Sequence, residues 1–478
     1  MSKTLIIFYL FITVSVSAKP MPEQAHSIVL PKISNQNPIT LVAEQGFWTD
    51  YLKQQLIHQF TLETGVTVHV ESMSLGKMQQ AETAAMQNGN GQYDVLTLEA
   101  GWAKEWAANG YTVPIKELIT RYEPNTEKQT DNFINNYYPA LLDILSYQGQ
   151  LHSVPYNSYV MGNHYRKDLF ENKQESQAFL KQYTYPLSPP QRLDQLLDIA
   201  AFFTRKKGDK LAGKILRADF YGVALMSGNR PHINDELSSI LWGLGGKWFE
   251  PEYENDEIKG FHSQADSDIA TSAAKYYINL MQYAYPSNAN FAYLEAATAL
   301  NEGHVAMWPF AYNNLWSVSG QVNEKTPGAE LGISTVAGEK PYHGAYSFAV
   351  SYDSKNPEAA YWLLKYLSSF DSQLAYANAG GNPCRLDVIN YLSTNLPKQS
   401  AQYQALQSSL QGDKNWQGLN HLYGHFSSTA MGTIYPELMK AAYKIATQSQ
   451  PSEIILKQLN KTISIYQNLY GEKAMLAE

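Results

Sequence analysis

Aromatic side chains grouped with a few amides and carboxylates are the residues of this chain whose types and spacing could recognise a ligand. The densest group lies in Asn301-Glu-Gly-His-Val-Ala-Met-Trp-Pro-Phe-Ala-Tyr-Asn-Asn314. There the polar tail of a helix turns at Gly303 and enters a short apolar strand, Val305 to Met307, which Pro309 is expected to stop. Trp308, Phe310 and Tyr312 then occupy a loop at the strand's end. Gln45 and Trp48 follow an earlier strand, Ile39 to Ala43, while Glu99 and Trp102 follow another, Tyr93 to Leu98. Open α/β sheets bind ligands outside the carboxyl ends of their strands, so these positions are natural candidates. An amide or carboxylate there can hydrogen-bond hydroxyl groups, and an indole offers a flat apolar face. Each has a plainer alternative: core packing for the aromatics and helix capping for Glu99.

Patterns for covalent chemistry are missing. The chain has no Gly-x-Ser-x-Gly elbow, no Gly-rich phosphate loop ending in Lys-Ser/Thr, and no His-Glu-x-x-His. His421 and His425 have helical spacing, but Gly424 weakens a helix and no third ligand stands near them. The acidic run Glu250 to Glu257 lacks the ligand alternation of a calcium loop and fits a solvated turn. No metal and no cofactor is expected. Cys384 is the only cysteine, so an internal disulfide is impossible and a small buried hydrophobe is the expected role.

At 478 residues the chain exceeds one hydrophobic core, and two or three lobes are expected. The 34 Tyr and 9 Trp suit polar ligands with apolar faces, though Tyr also fills large cores. A formal net charge of −8 without a basic run argues against nucleic acid or an anionic membrane surface as partner. Residues 1–18 have the form of a secretory signal: Lys3, an apolar run from Leu5 to Val14, and the small-residue site Val16-Ser17-Ala18. With no cysteine beside that site, an exported protein without an acyl anchor is expected; in a bacterium it would be free in the periplasm.

The elements that must position these residues alternate. After the first strand, Leu52, Leu56 and Phe60 recur at helical spacing up to a C-cap at Gly65. Val66 to Val70 is the next strand, a helix covers about 76–87, and the third strand begins at Tyr93. That order predicts a parallel sheet with right-handed crossovers.

The succession Ile39-Thr-Leu-Val, Glu63-Thr-Gly-Val-Thr-Val68 and Tyr93-Asp-Val-Leu resembles the opening of a bacterial extracellular solute-binding protein. Gly110 to Leu118, Tyr147 to Tyr156, Tyr165 to Phe170 and the Asn-Glu-Gly-x-x-Ala-Met of the opening stretch follow in the same order. The resemblance covers nearly the whole chain after the leader, and is to the sugar-binding class that includes maltose-binding proteins.

It implies an α/β fold of two lobes with crossing hinge strands and a ligand cleft between them. The division expected is 39–150 with 301–343 for the N-terminal lobe, and 151–300 with 344–478 for the C-terminal lobe. Leu151 to Asn157 and Gly344 to Val350 would be the crossings. Tyr156, Asn157 and Tyr346 then become candidates for ligand contact, with core packing as the alternative. So do Trp242, before a Gly-Gly turn, and Arg385, in a Gly-x-x-Pro-x-Arg-like segment. A helix anchor and a structural ion pair are their respective alternatives. The Trp308-Pro-Phe-Ala-Tyr312 run departs from the family, where Gly and small polar residues are common.

The function implied is capture of a carbohydrate or polyol by lobe closure for an ABC importer, without covalent chemistry. Its partners would be the small-molecule ligand and the membrane permease subunits, and the protein would be a monomer. The rivals are an exported carbohydrate-active enzyme, which needs two carboxylates across a cleft, and a binding module serving a sensor or partner enzyme.

Overall fold

Alternating apolar strands and amphipathic helices build two main β-sheets, each fed by separate stretches of chain. The computed structural model describes residues 28–254, 257–395, 403–404, 406–407 and 431–470; the leader and the His421/His425 pair lie outside them. Nine strands form the sheets. They are β1 (Ile39–Glu44), β2 (Val68–Met73), β3 (Val95–Glu99), β4 (Val154–Ser158), β5 (Met161–Arg166), β6 (Tyr221–Val223), β7 (Val305–Tyr312), β8 (Leu331–Ser334) and β9 (Ala345–Val350). The first sheet runs β2-β1-β3-β9-β4 and the second β6-β7-β5-β8. β1 pairs in parallel with β2 and β3, as the strand–helix alternation predicts, while β9 is antiparallel to both β3 and β4.

Local chemistry accounts for the element boundaries. Leu52, Leu56 and Phe60 are buried along one side of a helical run from Phe47 to Thr64, which contains a π-helical turn at Leu52–Ile57. Gly65 ends that run at φ 78°, a left-handed conformation that costs glycine little. The helix α1 (Leu75–Asn88) follows β2, and α2 (Ala100–Ala108) follows β3. α3 (His232–Gly243) and α4 (Tyr293–Asn301) belong to the stretch that feeds the second sheet. α5 (Pro357–Leu367) has Pro at its first position and Asn356 as N-cap, accepting from the Ala359 amide. α6 (Met431–Ala446) packs against both α3 and α2.

The chain passes from β4 in the first sheet to β5 in the second through Tyr159 and Val160, and returns from β8 to β9 through 335–344. These two connections run side by side: the Tyr159 amide donates to the Gly344 carbonyl at 2.9 Å, and the Met161 amide to the Tyr342 carbonyl at 3.0 Å. The expected division therefore needs correction. Residues 301–343, assigned above to the first lobe, supply β7 and β8 to the second sheet, and 345–350 belong to the first sheet. The segment 154–158 likewise pairs within the first sheet, so the crossing begins one residue after it. Apolar strands look alike in sequence, and only their pairing partners assign them to a sheet.

Pro309 does not stop β7. The strand continues to Tyr312, and its pairing with β5 shifts register between Trp308 and Ala311. Such an irregularity leaves proline without the ladder hydrogen bond it cannot donate. The described part of the acidic run lies in two strands that pair antiparallel, Phe249–Glu254 with Glu257–Ser263. Among the described residues no helix is long and apolar enough to cross a membrane.

Candidate ligand-binding site

The carboxyl ends of β1, β3 and β7 converge on a cavity of about 740 Å³, within the range of small-molecule sites. Glu44 is the last residue of β1, Glu99 the last of β3 and Tyr312 the last of β7, and all three line it. The opening turns of α1, α3 and α4 also reach it, along with both connections between the sheets and the Tyr435–Met439 part of α6.

Three carboxylates in this cavity accept hydrogen bonds from tyrosine hydroxyls. Tyr346 donates to Glu44 Oε2. Tyr159 donates to Glu99 Oε1, which also accepts from Tyr342 at 3.3 Å, while Glu99 Oε2 accepts from the Gly101 amide at 2.6 Å. Tyr312 and Tyr435 donate to the two oxygens of Asp235. Withdrawal from water dominates the electrostatics. Burial pushes Glu44 up to about 7, against the pull of the Tyr346 bond and with a further push from Glu99. Glu99 is raised by burial and partly restored by its three donors. Burial holds Asp235 well above the usual carboxylate range, with its two tyrosines opposing and Glu99 and Glu236 adding to the effect. His232 lies beside Tyr312, with Nδ1 3.1 Å from its hydroxyl, and burial lowers the imidazole to about 4. It is therefore neutral at physiological pH and does not offset the acids.

Between the acids runs a chain of rings. Trp48 stacks on Tyr346 with centroids 6.3 Å apart, Tyr346 meets Tyr159 at 5.2 Å, and Tyr159 meets Tyr312 edge-on at 5.6 Å. Tyr159 reaches this place because Gly344 has no side chain: a Cβ there would lie 1.8 Å from Tyr159 Cε2. The arrangement offers flat apolar faces and strong acceptors together, which suits ligands with apolar faces and many hydrogen-bond donors.

The candidates named from sequence divide between this cavity and elsewhere. Trp48, Glu99, Trp102, Tyr312 and Tyr346 line it. Gln45 does not, although it follows Glu44 directly; it is exposed. Trp308 and Phe310 are fully buried within the second lobe, and Trp308 packs edge-on against His164, its cross-strand partner, at 5.7 Å. The expectation that they occupy a loop at the cleft is corrected, because the strand carries on past them. Tyr156 is buried between Phe348 and Tyr376, with centroids 4.8 and 4.7 Å away, and Asn157 is fully buried beside Tyr346 in the sheet register. Trp242 is buried near the end of α3. Arg385 makes a two-pronged ion pair with Asp387 and donates to the Ser368 carbonyl, the structural alternative foreseen for it. None of these last four lines the cavity.

Sequence reasoning missed Glu44, Tyr159, His232, Asp235, Tyr293, Tyr342 and Tyr435, all of which line the cavity. Glu44 had a signal, being the polar residue that closes an apolar strand. Asp235 and Tyr435 had none, since they meet from positions 200 residues apart.

The family model of bacterial extracellular solute-binding proteins matches residues 43–373, and the chain belongs to this family. Its fold is the two-lobe α/β fold of ABC-transporter solute-binding proteins. A solute-binding protein of Agrobacterium radiobacter K84, solved in complex with ribitol, superposes with a TM-score of 0.69 at 18% identity, covering 90% of this chain and 99% of that one. Another from Agrobacterium vitis S4, with bound D-mannitol, gives 0.68 at 17% identity over 91% and 99% of the two chains. In sequence, the chain is 25% identical over 237 residues to a mannitol-binding protein of Pseudomonas aeruginosa, and this match covers 48% of the chain. It spans 45% of that curated relative, less than half its length.

Proposed function

We propose that the protein captures a carbohydrate or polyol in the cavity between its two sheets and delivers it to the membrane subunits of an ABC importer. The observation that carries this reading is the cavity's composition: Trp48 and the tyrosine rings supply stacking faces, and Glu44, Glu99 and Asp235 supply acceptors for hydroxyl groups. Membership of the solute-binding family and similarity to proteins with bound ribitol and mannitol support it. The ligand leaves chemically unchanged. Binding shifts the two lobes from open to closed about the paired connections at Tyr159 and Gly344. The protein is exported through the leader at 1–18 and works as a monomer in the periplasm.

A thermal-shift and calorimetric screen against sugars and polyols tests this. A ligand that binds only the folded protein adds about 2.7 kcal/mol of stability at a hundredfold excess over its Kd. Binding by at least one compound, recovered intact, is expected. Turnover of that compound, or silence across the whole panel, would overturn the reading.

A further inference from the structure

The polar groups of the cavity are unevenly matched. Glu44 accepts from Tyr346 through Oε2, and its Oε1 has no donor among the described residues. No described cation pairs with Glu44 or Glu99. The cations that line the cavity, Lys77 and Arg230, are both exposed, and Arg230 is held by Asn290 at 2.8 Å. Asn314 also lines the cavity; it is only 5% exposed, and its Oδ1 has no donor among the described residues. The buried Nε1 of Trp102, which lines the same cavity, has no acceptor among the described residues. The site is therefore rich in carboxyl and amide oxygens, poor in cations, and walled by aromatic rings.

A neutral polyol brings one donor and one acceptor with each hydroxyl, and it offers no charge to pair with ionised Glu44 or Glu99. Buried carboxylates are costly unless they are paired. An ammonium group supplies three donors and a positive charge from one atom, and aromatic faces stabilise it further. We propose that the captured compound carries a protonated amine on its hydroxylated scaffold, as an amino sugar or amino polyol does. Glu44, Glu99 and the Asn314 carbonyl receive the ammonium end. The Trp102 indole N–H donates to a ligand hydroxyl oxygen. This deepens the carbohydrate reading and rests on it.

The two carboxylates also predict a proton signature. Burial raises both Glu44 and Glu99 in the ligand-free cavity. An ammonium placed against them favours their ionised forms, so it drives protons out into the buffer. A neutral polyol does not.

The experiment is isothermal titration calorimetry of the full chain at pH 7. The probes are D-glucitol, D-mannitol, ribitol and D-glucose, their amino-deoxy counterparts, and the N-acetyl derivatives of those amines. Each is run in two buffers of different ionisation enthalpy. On the scaffold that binds, the amine is expected to bind roughly tenfold tighter or better than its hydroxyl parent. It should release protons, and acetylation should abolish both effects. The amine preference should shrink in Glu99→Gln, with Glu44→Gln giving the same readout should the first variant not fold. A neutral parent that binds as tightly as its amine overturns the proposal and leaves the carbohydrate reading standing. No binding by any member, charged or neutral, overturns both.

Discussion

Tyr346 holds Glu44 and Trp48 together: its hydroxyl donates to the Glu44 carboxylate while its ring stacks on the indole, centroids 6.3 Å apart. A residue of β9 thus fixes the last residue of β1, 302 positions earlier in the chain, and the tryptophan that follows it. Trp48 is only partly buried and lines the cavity, so its removal leaves the core intact. Trp48→Ala is expected to weaken ligand binding by roughly 1–3 kcal/mol, the usual cost of truncating an aromatic at a binding surface. Melting temperature should barely change. Unaltered affinity in calorimetry would remove Trp48 from the site.

Trp308 should behave in the opposite way. It is fully buried on β7 against His164. Truncating a buried tryptophan leaves a cavity, so Trp308→Ala should cost about 3–5 kcal/mol of folding stability. Affinity of the surviving folded fraction should match the wild type. Denaturant unfolding and ligand titration on the same preparation check the two halves separately, and a stable variant with lost affinity would put Trp308 back in the cleft.

Gly344 is where the two connections between the sheets touch. Its missing Cβ leaves room for Tyr159, which in turn bonds Glu99. Gly344→Ala forces the tyrosine ring or the backbone to move and should destabilise by about 1–3 kcal/mol, as overpacking does. Because the displaced group is a cavity residue, affinity should also fall. A crystal structure of the variant with Tyr159 in place and binding unchanged would refute the arrangement.

Glu44 should make stability depend on pH with a definite sign. Its folded value of about 7 lies above the ordinary carboxylate value, so the folded state holds a proton that the unfolded chain releases. Stability from this group is present below about pH 4.5 and is lost as pH rises to about 7. The neutral imidazoles of buried His164 and half-buried His232, both lowered to about 4, act oppositely between pH 4 and 6.5. Comparison with Glu44→Gln isolates the acid. Between pH 5 and pH 8 the wild type should lose about 2–3 kcal/mol more than the variant. Equal losses in urea denaturation across that range would mean that Glu44 is solvated.

Much of this protein was legible along the chain. The helical run to Gly65, the parallel pairing of β1 with β2 and β3, and the cap and proline opening α5 all follow from neighbouring residues. Helical spacing, turn chemistry and capping are local interactions, so they survive in a bare sequence. Trp48, Glu99 and Trp102 could be placed at the cavity for the same reason, since each follows directly from a strand end. Tertiary structure alone decided the rest. Whether β7 joined the first sheet or the second depended on its pairing with β5 and β6, and its path through Pro309 depended on a register shift against β5. The Asp235 site was invisible because Tyr312 and Tyr435 reach that carboxylate from 77 and 200 residues away. A buried acid is tolerable only with such donors around it, and nothing in the residues beside Asp235 encodes which distant hydroxyls the fold will bring.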